Sequence, residues 1–235
     1  MPVTHSHIAL PHNGQAIDCY LAAPEGGGRV PAVVMASSVF GVGEDLIELC
    51  HVFANAGCLV AAPDLFWAGD KGPLPRTDEG QKRAMARVAD RPHALEQASD
   101  AIRAALARVR SDARCNGRTA ILGFCFGGPF AVAGLADMGC DAGGSFHGSE
   151  FEDQLDNLAK VDGPLELHWG DADFALPPEL LDRVRSACRH NTNCNIVIYP
   201  GIRHGYTGRS SPAFDPAATE NSVALTLKML DRLRT

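Results

Sequence analysis

The sequence has few basic residues for its length, and this shortage limits the partners that it can bind. Its 235 residues include 21 lysines and arginines against 28 aspartates and glutamates, which gives a formal net charge of -7 at pH 7. An acidic surface repels the phosphates of nucleic acids and of anionic membranes. We therefore expect neither nucleic acid nor a membrane as a partner.

Long runs of apolar residues are also missing. No stretch approaches the roughly 20 apolar residues that a transmembrane helix needs. Residues 1–12 carry three histidines and lack the apolar segment of a signal peptide. We therefore expect neither a membrane span nor a signal peptide.

The eight cysteines lack the spacings of metal sites and redox motifs. No two of them form C-x-x-C, and none has zinc-finger spacing. Several lie in apolar runs, as Cys58 does in GCLVAAP, where a thiol behaves as a small hydrophobic side chain. We expect every cysteine except Cys125 to be a buried, reduced thiol, which implies a reducing, cytoplasmic location.

Strand and helix patterns alternate along most of the chain. One or two edge strands are expected in the first thirty residues, and buried strands are predicted at 31–37, 58–64, 118–124, 141–147, 164–170 and 195–201. Helices are predicted at 44–55, 79–90, 94–110, 127–136, 178–189 and 216–233. This order predicts a single α/β domain over residues 1–235, with a mainly parallel central sheet and helices on both faces. In such folds the catalytic and ligand-binding residues collect in loops after the carboxyl ends of strands.

One turn combines glycines with a nucleophile. The segment GFCFGG (123–128), with Cys125 at its third position, follows a predicted strand and precedes a predicted helix. This is the pattern of a nucleophile elbow, a sharp strand-to-helix turn in which larger neighbouring side chains would collide. The helix N-terminus favours the thiolate of Cys125, and the N–H of Phe126 is expected to stabilise an oxyanion. The alternative is a structural glycine-rich turn that happens to contain a cysteine.

Two later strand ends supply a base and an acid in the chain order that this fold requires. A cysteine nucleophile needs a base, and the base needs an orienting carboxylate. The segment YPGIRHGY offers His204, and HWGDADFALP offers Asp171 and Asp173. We favour Asp173 because it stands four residues before Pro177, and Asp171 remains the alternative.

Five segments together resemble the dienelactone hydrolase family of α/β-hydrolases. They are SSVFG (37–41), APDLFW (62–67), GFCFGG (123–128), GDADFALP (170–177) and YPGIRHGY (199–206). The resemblance implies a small hydrolase without cofactor or metal, present as a monomer or weak homodimer. It also implies small-molecule substrates, namely unsaturated lactones that bear a carboxylate and arise in the breakdown of chlorinated aromatic compounds.

The resemblance assigns roles to individual residues. It implies that Cys125 is the nucleophile of a Cys-Asp-His triad, that His204 is its base and that Asp173 orients the histidine. The N–H groups of Val39 and Phe126 would form the oxyanion hole. Catalysis would then pass through a thioester intermediate.

The sequence departs from the family at the substrate-binding positions. Ser38 stands where the dienelactone-cleaving members have a glutamate, and a serine cannot accept the thiol proton near neutral pH. Arg83 falls where one carboxylate-binding arginine is expected, although a solvated helix face is the alternative. The second expected position is Gly208, with Arg209 beside it. His147 stands where a tyrosine is frequent, and it is expected to be a pocket wall or a polar contact.

Two other functions remain open. The first is a general esterase or thioesterase for small acyl groups, without recognition of a carboxylate. The second is a non-catalytic relative that binds a small carboxylate or lactone, or that senses oxidants through Cys125.

Overall fold

The structure is a computed structural model that describes residues 2–26 and 28–234. The described residues form two compact units, one that reaches Thr119 and includes Arg234, and one from Ala120 to Leu233. The predicted extent of one domain over residues 1–235 stays a prediction. Among the helices of the described residues, none is both long enough and apolar enough to cross a membrane.

The first unit combines two antiparallel strand pairs with one parallel pair. Its strands are β1 (Val3–His12), β2 (Gln15–Pro24), β3 (Val30–Ala36) and β4 (Leu59–Pro63). Its helices are α1 (Glu44–Asn55), α2 (Asp78–Arg87) and α3 (Arg91–Arg110). Strand β2 pairs antiparallel with both β1 and β4, while β3 pairs in parallel with β4.

Local sequence explains these elements. All of β4 and all of β3 except Val30 are buried, as expected for continuous apolar runs in parallel strands. Helix α2 begins where the Thr77 hydroxyl accepts a hydrogen bond from the N–H of Gly80 at 3.1 Å. Such side-chain caps satisfy N–H groups that the first helical turn leaves unpaired.

The second unit is built on parallel strands. Strand β5 (Cys115–Phe124) enters it at Ala120, and the remaining strands are β6 (Ala142–Phe146), β7 (Leu165–Gly170) and β8 (Cys194–Tyr199). Its helices are α4 (Phe130–Asp137), α5 (Leu155–Leu158), α6 (Pro178–Cys188) and α7 (Pro216–Leu230). The pairs β5–β6, β6–β7 and β7–β8 are all parallel. Residues that follow these strands therefore collect at one edge of the four strands.

The predicted α/β-hydrolase fold class is confirmed, and most predicted elements lie within a few residues of their expected bounds. The main difference follows the third predicted strand, where a 3-10 turn (Cys125–Gly127) precedes α4. The backbone of Cys125 has φ +54°, outside the right-handed α region, and the α-helix begins only after this turn, at Phe130. Two strands lie between Val3 and Pro24, in the region where one or two edge strands were expected, and the short helical segments between Phe151 and Leu158 were not predicted.

Candidate active site

Cys125 occupies a sharply bent turn that only glycine neighbours allow. Its φ of +54° lies in the left-handed region, which is uncommon for residues other than glycine. A Cβ atom at Gly123 would lie 2.0 Å from the carbonyl oxygen of Gly127, and one at Gly128 would lie 2.4 Å from the Cα of Gly148. Because no side chain fits at these distances, the turn requires glycine at both positions.

Two backbone hydrogen bonds fix the turn. The carbonyl oxygen of Cys125 accepts the N–H of Gly128 at 2.9 Å and the N–H of Ser149 at 3.1 Å. Ser149 lies in the loop after β6, so this loop and the turn after β5 are held together directly. Trp169, at the end of β7, supports the same loop because its indole N–H donates to the carbonyl oxygen of Gly148 at 2.8 Å.

His204 is paired with Asp173 rather than with Asp171. Its Nδ1 lies 2.9 Å and 3.1 Å from the two carboxylate oxygens of Asp173, whose side chain is fully buried. An ionised carboxylate can only accept, so Nδ1 carries the proton. Asp171 is exposed and instead accepts the N–H of Gly201 at 2.6 Å.

The Cys125 thiol and the His204 imidazole shift each other's pKa in opposite directions. Burial is the strongest influence on Cys125 and raises its pKa, but His204, the N–H of Phe126 and the Ser149 hydroxyl outweigh it, so the pKa lies below its ordinary value. Burial lowers the pKa of His204, whereas Asp173 and Cys125 raise it, and the net result is a pKa of about 10. Opposite charges stabilise one another, so each group favours the charged form of the other, a thiolate beside an imidazolium. Because Asp173 holds Nδ1, the buried Nε2 is the nitrogen of His204 that is left for proton transfer.

Ser149 is a member of this site that sequence analysis missed. Its side chain lowers the pKa of Cys125, and its N–H holds the Cys125 carbonyl. The only indication in the sequence was that Ser149 lies in the loop after β6, and such loops were expected to carry catalytic and ligand-binding residues. That signal does not distinguish Ser149 from its neighbours in the loop.

Two aromatic rings contact the His204 imidazole. The buried His147 ring lies 4.9 Å from it at an interplanar angle of 72°, and His147 Nε2 lies 2.9 Å from the Thr207 hydroxyl. The Phe174 ring lies 4.7 Å from it, although the Phe174 residue is 81% exposed. His147 thus packs against the imidazole of His204, and its expected role as a pocket wall or polar contact stays a prediction. Phe174 presents an apolar surface to solvent.

The last candidate residue of the second unit, Arg209, is exposed, and its guanidinium lies 5.7 Å from the centre of the Phe214 ring. The substrate-binding role expected for it stays a prediction. Across residues 2–26 and 28–234, no group of three or more His, Cys, Asp or Glu side chains is arranged to hold a metal ion.

The other predicted site residues lie in the first unit. The Ser38 hydroxyl accepts the N–H of Phe40 at 3.3 Å, and the Val39 carbonyl accepts from Arg87 at 3.0 Å. Arg83 is paired with Asp70, with its Nε 3.0 Å from a carboxylate oxygen. This pairing raises the pKa of Arg83 and lowers that of Asp70. The charge of Arg83 is therefore already offset by a carboxylate of the protein.

Comparison with known sequences identifies the family. Residues 17–233 match the sequence model of the dienelactone hydrolase family. The chain belongs to the dienelactone hydrolase family. A carboxymethylenebutenolidase from a Pseudomonas strain is 30% identical over 207 residues, which cover 88% of this chain and 87% of the relative. Carboxymethylenebutenolidase 1 of Cupriavidus pinatubonensis is 27% identical over 222 residues, or 94% of each chain.

A solved structure supports the same fold. A dienelactone hydrolase-like promiscuous phosphotriesterase from metagenomic libraries aligns with a TM-score of 0.81 over 99% of both chains, at 17% identity. At this identity the likeness shows the fold alone. Together with the family match, the α/β-hydrolase fold makes this chain a dienelactone hydrolase-like hydrolase of small molecules.

Proposed function

We propose that this dienelactone hydrolase-family protein cleaves small esters or lactones through a thioester on Cys125, with Asp173 and His204 completing the catalytic triad. One observation carries the proposal. Buried Asp173 holds Nδ1 of His204, and the same imidazole lowers the pKa of the Cys125 thiol. A nucleophile, its base and an orienting carboxylate are the parts that nucleophilic acyl transfer requires.

In the acylation step, the Cys125 thiolate attacks the carbonyl carbon and a tetrahedral oxyanion forms. The N–H of Phe126 stabilises this oxyanion, and a contribution from the N–H of Val39 is a prediction of the family resemblance. Protonated His204 then donates its Nε2 proton to the departing alkoxide or enolate as the carbon–oxygen bond breaks. The product is a thioester on Cys125 and a neutral His204.

In the deacylation step, neutral His204 takes a proton from water. The resulting hydroxide attacks the thioester carbonyl, the carbon–sulfur bond breaks and the carboxylic acid leaves. The thiolate of Cys125 is then restored beside protonated His204. Asp173 keeps its hydrogen bond to Nδ1 throughout and stabilises the imidazolium form.

The relatives named carboxymethylenebutenolidase suggest a lactone with a carboxylate as one substrate class. Ser38 argues for weak turnover of such substrates, because it cannot accept the thiol proton as a glutamate would. Wild type and Ser38→Glu should therefore be assayed side by side on dienelactone. Rapid wild-type turnover that the substitution leaves unimproved would contradict this interpretation of Ser38.

A second candidate is a general small-acyl esterase or thioesterase without carboxylate recognition. It is favoured by the ion pair between Arg83 and Asp70, because a paired guanidinium is less available to a substrate anion. If Arg83 binds substrate, Arg83→Ala raises KM for anionic esters only. An equal KM change for neutral and anionic esters supports the general esterase.

The decisive experiment is a panel of p-nitrophenyl acetate and of lactones with and without a carboxylate. We expect Cys125→Ala to lower turnover by at least about 1,000-fold while the protein stays folded, and Cys19→Ala to retain activity. A trapped acyl group should map by mass to the peptide that contains Cys125. Near-wild-type turnover by Cys125→Ala would refute the mechanism, and alkylation of Cys125 in a protein inactive on the whole panel would favour a non-catalytic binding or sensing role.

The cytoplasmic location is likewise our proposal, and it rests on the reduced state expected of the buried cysteines. A role in the breakdown of aromatic compounds follows only if carboxylate-bearing lactones prove to be good substrates. The monomer or weak homodimer expected from the resemblance stays a prediction.

A further inference from the structure

Two cysteines outside the proposed triad meet in the second unit. Cys188 is the last residue of α6 and Cys194 is the first residue of β8. Their sulfur atoms lie 3.0 Å apart, with the Cys194 thiol donating to Cys188. This is shorter than the roughly 3.5–4.0 Å at which non-bonded carbon atoms touch. The two sulfur atoms are therefore in direct contact although both are thiols.

The turn between the two cysteines is fixed by backbone hydrogen bonds. The N–H of Asn191 donates to the Cys188 carbonyl at 2.9 Å, and the N–H of Cys194 donates to the Asn191 carbonyl at 3.1 Å. The Asn191 side chain accepts the N–H of Asn193 at 2.9 Å, and the Asn193 side chain donates to the Asp162 carbonyl at 2.8 Å. The approach of the sulfur atoms is thus a property of the turn, and a disulfide of roughly 2.05 Å requires the two sulfur atoms, now 3.0 Å apart, to move closer by about 1 Å.

We propose that Cys188 and Cys194 are a reversible disulfide site that hydrogen peroxide oxidises. The Cys188 thiolate attacks one peroxide oxygen and the oxygen–oxygen bond breaks, so that Cys188 becomes a sulfenic acid. The hydroxide that leaves takes up the proton that the Cys188 thiol had lost and departs as one water. The Cys194 thiol then attacks the sulfenic sulfur, the sulfur–oxygen bond breaks and a second water leaves. Two thiols lose two electrons, and the peroxide is reduced to two waters.

The surroundings of the two cysteines indicate which one attacks the peroxide and which one resolves the sulfenic acid. The hydrogen bond from Cys194 lowers the pKa of Cys188, whereas the same bond, with burial, raises the pKa of Cys194. The thiolate is the nucleophile in thiol oxidation, so Cys188 attacks and Cys194 resolves. Cys188 is buried and Cys194 is partly exposed, which suits a small oxidant such as peroxide.

This inference does not depend on the proposed hydrolase mechanism, because neither cysteine belongs to the triad. Cys125→Ser protein is therefore used for the test, which removes the competing thiol. Trypsin cuts after Arg185, Arg189 and Arg203, so it places the two cysteines on separate peptides, residues 186–189 and 190–203.

The full-length Cys125→Ser protein is treated with hydrogen peroxide, its remaining thiols are blocked with iodoacetamide, and the digest is weighed without reduction. We expect peptides 186–189 and 190–203 to be joined, and dithiothreitol to separate them. In Cys194→Ser on the same background, we expect dimedone to label Cys188, and the matched Cys188→Ser variant to show neither a joined peptide nor dimedone on Cys194. Recovery of both cysteines as carbamidomethyl peptides after peroxide, or joining of either to any other cysteine instead, would overturn the proposal.

Discussion

The Cys125 thiol of the second unit and two buried thiols of the first unit, Cys19 and Cys50, have pKa shifts in opposite directions. In the first unit, burial raises the pKa of Cys19 to about 12, and burial together with Cys19 raises that of Cys50. In the second unit, burial is again the strongest influence on Cys125 and acts in the same direction, yet the net pKa is lowered. The difference lies in the neighbours, because Cys125 has an imidazole, a backbone N–H and a hydroxyl around its sulfur. The lowered pKa of Cys125 therefore follows from its neighbours and not from depth.

The largest expected effect concerns Asp173, which acts on Cys125 through His204. We expect Asp173→Asn to lower kcat by about 100- to 10,000-fold, because the amide cannot stabilise protonated His204. Asp171→Asn should change kcat little, since an asparagine oxygen still accepts the N–H of Gly201. Ester hydrolysis by both variants measures the difference. Equal losses in the two variants would show that Asp173 has no special role.

The second prediction tests how much the His204 imidazole lowers the pKa of Cys125. We expect His204→Gln to raise the pKa of Cys125 toward that of the other buried thiols, so alkylation by iodoacetamide at pH 7 should slow. The measurement is the pH dependence of Cys125 alkylation, with the exposed His93→Gln as control. An unchanged midpoint in His204→Gln would mean that the thiolate does not depend on this histidine.

The raised pKa of His204 predicts the pH above which activity is lost. Because the pKa of His204 is raised to about 10, its positive charge stabilises the folded protein at lower pH, and that contribution is lost as the pH rises through this value. Protonated His204 is also the proposed acid for the leaving group in acylation, so kcat/KM, which reports the free enzyme, should fall over the same range. A kcat/KM that keeps rising above pH 10 would argue against this role.

A third substitution tests the backbone of the nucleophile turn. We expect Gly123→Ala to destabilise the protein by about 1–3 kcal/mol, since its Cβ would press on the Gly127 carbonyl, and to lower activity by displacing Cys125. The control is Gly69→Ala, because a Cβ there meets no atom within 4 Å. Urea unfolding of both variants provides the comparison. A Gly123→Ala protein as stable and active as the control would contradict the strained turn.

The smallest expected effect belongs to Ser149. Loss of one hydrogen bond to the thiolate is worth about 1 kcal/mol, so we expect Ser149→Ala to lower kcat/KM by about three- to tenfold. The midpoint of Cys125 alkylation should rise together with this loss. The exposed Ser186→Ala serves as control. A loss of activity without a shifted midpoint would assign Ser149 a structural role only.

The sequence was sufficient for features that depend on local pattern and chain order. Apolar runs marked the strands, and the carboxyl ends of β5, β7 and β8 marked Cys125, Asp173 and His204. Parallel strands bring such ends to one edge, so three separate segments could be combined without coordinates.

Side-chain contacts between distant segments could not be predicted from the sequence. Ser149 follows a weak strand pattern, and nothing in its neighbours indicates that it meets the turn after β5. Cys188 and Cys194 were both predicted to be buried, reduced thiols, which is wrong for the partly exposed Cys194. Only the folded turn shows that the end of α6 and the start of β8 bring the two sulfur atoms together. The pairing of Arg83 with Asp70 likewise depends on how a loop approaches a helix.

The hydrogen bond from Trp169 to the Gly148 carbonyl gives the protein an internal optical reporter. The chain has two tryptophans, and Trp67 in the first unit donates instead to the Gln97 carbonyl at 3.1 Å. In a Trp67→Phe protein, all indole emission would come from Trp169. Its ring is fully buried, and its N–H donates to the carbonyl of Gly148, the residue before Ser149. Stopped-flow fluorescence could then follow acyl transfer with unlabelled, colourless esters.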